Sequence, residues 1–200
     1  MLLESIWRLD AEIIDRTDQL LPIITALTQL PGFAPRRYDF NQHGSWRAFD
    51  PELACVDGLS QRVQLLRIES DDPTHFALIT MGKNGDAPTA LCALPEQPWR
   101  LIVDQWPSLL RDTITSRAML TSASWRSQII TACSDPRASA IGIANAFSPD
   151  LLPAAWRDLD LPTASHQATD DAQIWCLGDV DLQRLSPSER SSLLALADAM

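Results

Sequence analysis

From Leu2 to Leu27 the apolar residues recur at three- and four-residue spacings. Leu2, Leu3, Ile6, Leu9, Ile13, Ile14, Leu20, Leu21, Ile24 and Leu27, with Thr17 among them, fall on one side of a helix. Pro22 interrupts the pattern, because an interior proline removes a helical hydrogen bond. The spacing therefore predicts two helices or one kinked helix, with Asp18 capping the second and Pro22 in its first turn. Leu30-Pro31-Gly32 ends it.

Between Gln61 and Pro95 the pattern becomes that of strands. Three short apolar runs are separated by Asp71-Asp72-Pro73 and by Asn84-Gly85, the second being the dipeptide best suited to a tight hairpin. Phe76 to Met81 is apolar on both alternating faces, which predicts a strand covered on both sides. Shorter strands are expected around Tyr38–Phe40 and Ser45–Phe49, and a turn or short helix over 51–60.

Beyond Pro95, Trp99–Asp104 reads as a helix opening or another strand. Pro107 is placed to start a helix running to about Ala118, with Leu109, Leu110 and Ile114 inward. Ser124–Ser134 reads as a helix, Ala138–Phe147 as a strand, Pro149–Leu159 as a short helix around Pro153, Leu161–Asp171 as a polar loop and Gln173–Leu177 as a strand. Ser186-Pro187-Ser188-Glu189 is a capping box with proline at the first helical position. Leu193, Leu194, Ala197 and Met200 form that helix's apolar side.

These elements predict an α+β fold in a single domain over residues 1–200. Its mainly antiparallel sheet is centred on the 61–95 meander, extended by 138–147 and 172–178, and covered by helices. Alternation of strands and helices after residue 95 keeps a mixed α/β sheet as the alternative, and a subdivision would fall near 95–98.

Composition narrows the function classes. A chain of 200 residues that is 46% hydrophobic suffices for one core. A net charge of −10 and a pI of about 4.6 repel phosphate backbones, so nucleic acid is not an expected partner. The first residues lack a basic leader region and are interrupted by Glu4, Arg8, Asp10 and Glu12, which predicts neither a signal peptide nor a membrane span; the expected location is cytoplasmic. Cys55, Cys92, Cys133 and Cys176 form no C-x-x-C pair and sit beside apolar residues, as buried reduced thiols do. The one lysine, Lys83, lies in a turn, and the seven glycines form no phosphate or dinucleotide loop. No cofactor is expected. Gly82-Lys83-Asn84-Gly85 matches an RNA-clamping G-x-x-G, but in a hairpin and in an acidic chain.

Candidate chemistry is sparse. His43, His75 and His166 show no metal-ligand spacing, and there is no G-x-S-x-G. The one conceivable catalytic nucleus is His166 with Asp170 and Asp171. Charge placement is more distinctive: Asp150, Asp158, Asp160, Asp170, Asp171, Asp179 and Asp181 stand against Arg157 alone, a net −6 within 32 residues. Five of the seven tryptophans precede arginine, at Trp7, Trp46, Trp99, Trp125 and Trp156, and both residue types favour binding hot spots. These features predict a protein-binding module that docks a basic partner through the seven aspartates and Trp156, in the manner of inhibitor or immunity-type proteins that neutralise a toxin or effector. The alternatives are an enzyme built around His166, and a secretion chaperone or adaptor, which would present an apolar groove.

Overall fold

The computed structural model describes residues 2–41, 44–60, 63–82, 87–159, 161 and 164–199. In chain order the elements are strand β1 (Leu2–Leu9), helix α1 (Thr17–Thr28), β2 (Arg37–Phe40), β3 (Arg47–Ala48), α2 (Pro51–Ser60), β4 (Leu65–Glu69), β5 (Phe76–Thr80), β6 (Thr89–Pro95), α3 (Arg100–Val103), α4 (Trp106–Asp112), β7 (Thr115–Ser122), α5 (Ala123–Cys133), β8 (Ala144–Phe147), α6 (Ala154–Arg157), β9 (Ser165–Ala168), β10 (Gln173–Cys176) and α7 (Pro187–Asp198). The strands form one sheet in the order β3-β2-β4-β5-β6-β1-β7-β8-β10-β9, and every pairing is antiparallel. The fold is α+β, and these pairings leave no place for a mixed sheet. Among the described residues no helix is long and apolar enough to cross a membrane.

The first element departs from its helical spacing. Leu2–Leu9 is a strand, hydrogen-bonded to β6 on one side and β7 on the other, so the middle of the sheet lies where β1 joins β6, the last strand of the 61–95 meander. Its burial alternates strictly, with Leu3, Ser5, Trp7 and Leu9 inward. Ser5 hides that period in the sequence, because a polar residue occupies a core position. Its hydroxyl oxygen accepts from Trp7 Nε1 at 2.8 Å, which satisfies the buried indole. Burial in a two-sided central strand overrides the weaker helical spacing.

Cross-strand neighbours show how the core is filled. Read across the sheet, Phe40, Leu66, Ile79, Ala90, Trp7, Ala118, Ala146 and Ile174 lie in one register row, and all are buried. Alanine on both neighbours of Trp7 makes room for the central indole. Over this face pack the buried residues of α1, which are Leu20, Ile23, Ile24 and Leu27. Pro22 sits inside α1, not in its first turn, and the cap position is Arg16, not Asp18. The helix tolerates the missing N–H because its apolar stripe is anchored on both sides of the proline.

Later differences have local causes. The helix from Pro107 stops at Asp112, and Thr115–Ser122 is strand β7. Its small polar residues Thr115, Ser116, Thr121 and Ser122 are buried at the sheet centre, where a hydrophobicity pattern cannot show them. The expected strand 138–147 is shortened to β8. Pro136–Ala140 coils into a 3-10 turn begun by the Asp135 side chain, and Gly142 follows where a Cβ would lie 2.5 Å from the Leu120 carbonyl oxygen. Pro153 caps α6, and the polar loop after Leu161 contains β9. The helices at 51–60, 123–133 and 187–198, the strands of the meander and the Ser186–Glu189 capping box stand where the sequence places them. The Asn84-Gly85 turn, with Lys83, and His43, Gln61 and Met200 lie outside the described residues.

Ser5→Ala should cost about 1–3 kcal/mol, because it strands the Trp7 N–H in the core. Urea denaturation should show a lower midpoint with an unchanged slope.

Candidate functional site

The region around β8, β10 and β9 holds most of the residues singled out by charge. In register, Phe147, Gln173 and Ala168 form one cross-strand row, and Asn145, Trp175 and His166 the next. From α6, Trp156 lies against both rows, with ring centroids 5.2 Å from Phe147 and 6.5 Å from Trp175. Trp156 is fully buried. It therefore does not present a docking surface, as the sequence suggested, but holds the 149–158 segment against the sheet.

The aspartates do not form one surface. Asp150 lies in the 3-10 turn after β8, Asp158 just past α6 and Asp170 in the β9–β10 turn. All three are exposed, and none makes an ion pair with a described residue. Asp171 lies 3.5 Å from Arg111 of α4, Asp179 pairs with Arg100, and Asp181 lies 3.3 Å from Arg184. Arginines distant in sequence thus neutralise part of the run. Asp170 and Asp171 precede β10 whereas Asp179 and Asp181 follow it, which places them at opposite ends of that strand. Asp160 lies outside the described residues.

Between Asp158 and Asp170 runs β9, the last strand of the sheet. Ser165, His166, Gln167 and Ala168 are all exposed. The Thr169 N–H donates to the Ala172 carbonyl at 2.8 Å, and strand alternation then turns the N–H groups of His166 and Ala168 outward, away from β10. This edge has no proline, charge or bulge within it to block pairing with another strand. The opposite edge, β3, is only two residues long and carries Arg47.

His166 is engaged structurally. Its ring stacks on Trp175 at 3.9 Å and 10°, and its Nε2 lies 2.9 Å from Gln173 Oε1. With Asp171 turned to Arg111, no hydrogen bond or ion pair among the described residues joins His166 to Asp170 or Asp171. Among the described residues no three His, Cys, Asp or Glu side chains are grouped to hold a metal ion. All four cysteines are free, and burial pushes each thiol up, away from the thiolate that nucleophilic chemistry needs.

A concavity elsewhere in the fold was not legible in the sequence. α1 and α4 enclose a groove of about 730 Å³ floored by Trp7, with Leu21, Pro22, Ala26 and Leu109 on its walls and Thr25, Gln29 and Ser108 between them. That volume is typical of ligand pockets. Asp18 and Asp112 stand at its lining, and hydrogen bonds from Arg111 hold the Asp112 carboxyl below the ordinary aspartate range.

Of the paired tryptophans, Trp7, Trp125 and Trp156 are core, Trp99 packs against the core with Arg100 4.8 Å above its ring, and Trp46 is exposed under Arg37 at 4.5 Å. Trp156→Ala should cost about 3–5 kcal/mol in denaturant unfolding, as for a buried aromatic. A change below about 1 kcal/mol would mean that the indole is not part of the core. Comparison with known proteins supplies no template for either concavity or edge: no family model matches the chain, and no curated protein matches it.

Proposed function

We propose that this protein is a non-catalytic binding module that captures an extended, basic segment of another protein along β9, acting as an inhibitor or immunity-type protein toward a toxin or effector. One observation carries the reading. β9 presents an open backbone edge with Asp170 in the turn that leaves it, and Asp150, Asp158 and Asp170 are the exposed carboxylates of the run that have no counter-ion among the described residues. Strand addition supplies main-chain hydrogen bonds, and unneutralised carboxylates attract basic residues and speed the encounter. Four free cysteines accord with work in a reducing cytoplasm.

A second reading is supported by the α1–α4 groove. A chaperone or adaptor would hold an apolar segment of its client there, over Trp7. The two readings use different faces and separate by competition with an apolar fluorescent probe.

The test is binding of an alternating arginine–valine peptide by surface plasmon resonance. Replacing Asp150, Asp158 and Asp170 by Asn should slow association roughly tenfold and flatten its salt dependence. Ala168→Pro removes an outward N–H that no strand of the sheet uses, so it should speed dissociation while leaving the fold intact. Binding unchanged in both variants would sink the reading.

A further inference from the structure

The outward backbone groups of β9 are symmetric about one residue. His166 and Ala168 turn their N–H and C=O groups away from β10, while Gln167 between them turns its own toward Ile174. The strand contains no Asp, Glu, Lys or Arg, and all of its residues are exposed. Its side chains alternate in a matching way. On one face Gln167 stands at the end of the row that runs through Ile174, Ala146 and Ala118 to Trp7. Its amide makes no hydrogen bond to a described residue, and an amide both donates and accepts, so it can pair with its own kind. On the other face the large His166, stacked on Trp175 at 3.9 Å, alternates with the small Ala168.

We propose that in the free protein β9 is capped by β9 of a second copy, the two strands running antiparallel about a two-fold axis between their Gln167 residues. In that register His166 of each copy faces Ala168 of the other, and each such pair exchanges both of its backbone hydrogen bonds. Every outward N–H and C=O of the strand is then satisfied. A large side chain meets a small one on the Trp175 face. The two Gln167 amides meet at the central pair, where Cα atoms approach to about 4.5 Å. Other registers use the edge less well. An axis through His166 sets Ala168 opposite Ala164, and one through Ala168 sets His166 opposite Asp170, both outside the strand.

Backbone geometry and side-chain fit select this partner, and charge sets its strength. Each copy carries a net charge of −10, so the copies repel and salt screens that repulsion. The repulsion is not concentrated at the contact. Asp170 of each copy lies opposite Ala164 of the other, which leaves the two Asp170 residues at opposite ends of the ladder, about 20 Å apart. One strand of 4 residues laid on another buries far less than the roughly 800 Å² per partner of a standard interface, so the dimer is weak and concentration-dependent.

The inference rests on the same open edge as the proposed function and adds its regulation. A second copy holds the edge at rest, and a client strand has to displace it.

Sedimentation velocity without peptide, from low micromolar to near-millimolar protein, should show monomer passing to dimer. The dimer should tighten roughly threefold or more between about 20 and about 300 mM salt, opposite in sign to the capture of a basic peptide. Gln167→Lys and Gln167→Glu, at an exposed position, each set like charges face to face and should raise the dimer Kd about fivefold. An equimolar mixture of the two should restore association. Gln167→Cys should give a disulfide-linked dimer on mild oxidation, whereas Asp170→Cys and wild type with its native thiols should not. A chain that stays monomeric throughout, or a dimer indifferent to both charged variants, overturns the proposal. A chain that dimerises but ignores the arginine–valine peptide keeps this inference and loses the proposed function. One that binds the peptide yet never dimerises does the reverse.

Discussion

Everything in this molecule depends on one strand being paired on both sides. β1 bonds to β6 along one edge and to β7 along the other, with seven register pairs on each. All strands between β1 and α3 lie on its β6 side, and all that follow lie on its β7 side. Removing β1 would leave two smaller sheets, each ending in an unsatisfied ladder of buried N–H and C=O groups. The Trp7 row spans both halves, with Ala90 on one neighbour and Ala118 on the other, so the same strand that joins the hydrogen-bond ladders also joins the core.

This arrangement explains what was legible in the residues. The meander strands, α2, α5 and the capped α7 announce themselves by local chemistry: alternating apolar runs, turn residues, and a serine whose oxygen meets a backbone N–H three residues on. β1, β7 and β9 do not. Ser5 and the buried serines and threonines of β7 occupy core positions because neighbouring strands satisfy them, and that is information about partners far along the chain. β9, Ser-His-Gln-Ala, has no apolar face at all and is a strand only because β10 pairs with it.

The candidate sites divide in the same way. The acidic run is visible in sequence, yet which of its members keep their charge for a partner is decided by Arg100 and Arg111, which reach it from elements more than 50 residues earlier. The α1–α4 groove is invisible in sequence because its two walls and its floor come from three separate stretches. Trp156 shows the reverse error. Its arginine neighbour and acidic surroundings suggest a surface, while its packing on Phe147 and Trp175 makes it an internal brace.

The position of β1 also has a temporal side. Leu2–Leu9 precedes both of its partners, which begin at Thr89 and Thr115, so its apolar alternation has no ladder to join on one edge until β6 has been synthesised, and none on the other until β7 has. Pairings this distant in sequence raise contact order and slow folding. Until β6 emerges, a strand with Trp7 on one face and Ile6 on the other waits unpaired, and until β7 emerges one of its edges stays open, the kind of segment on which holdase chaperones act during translation.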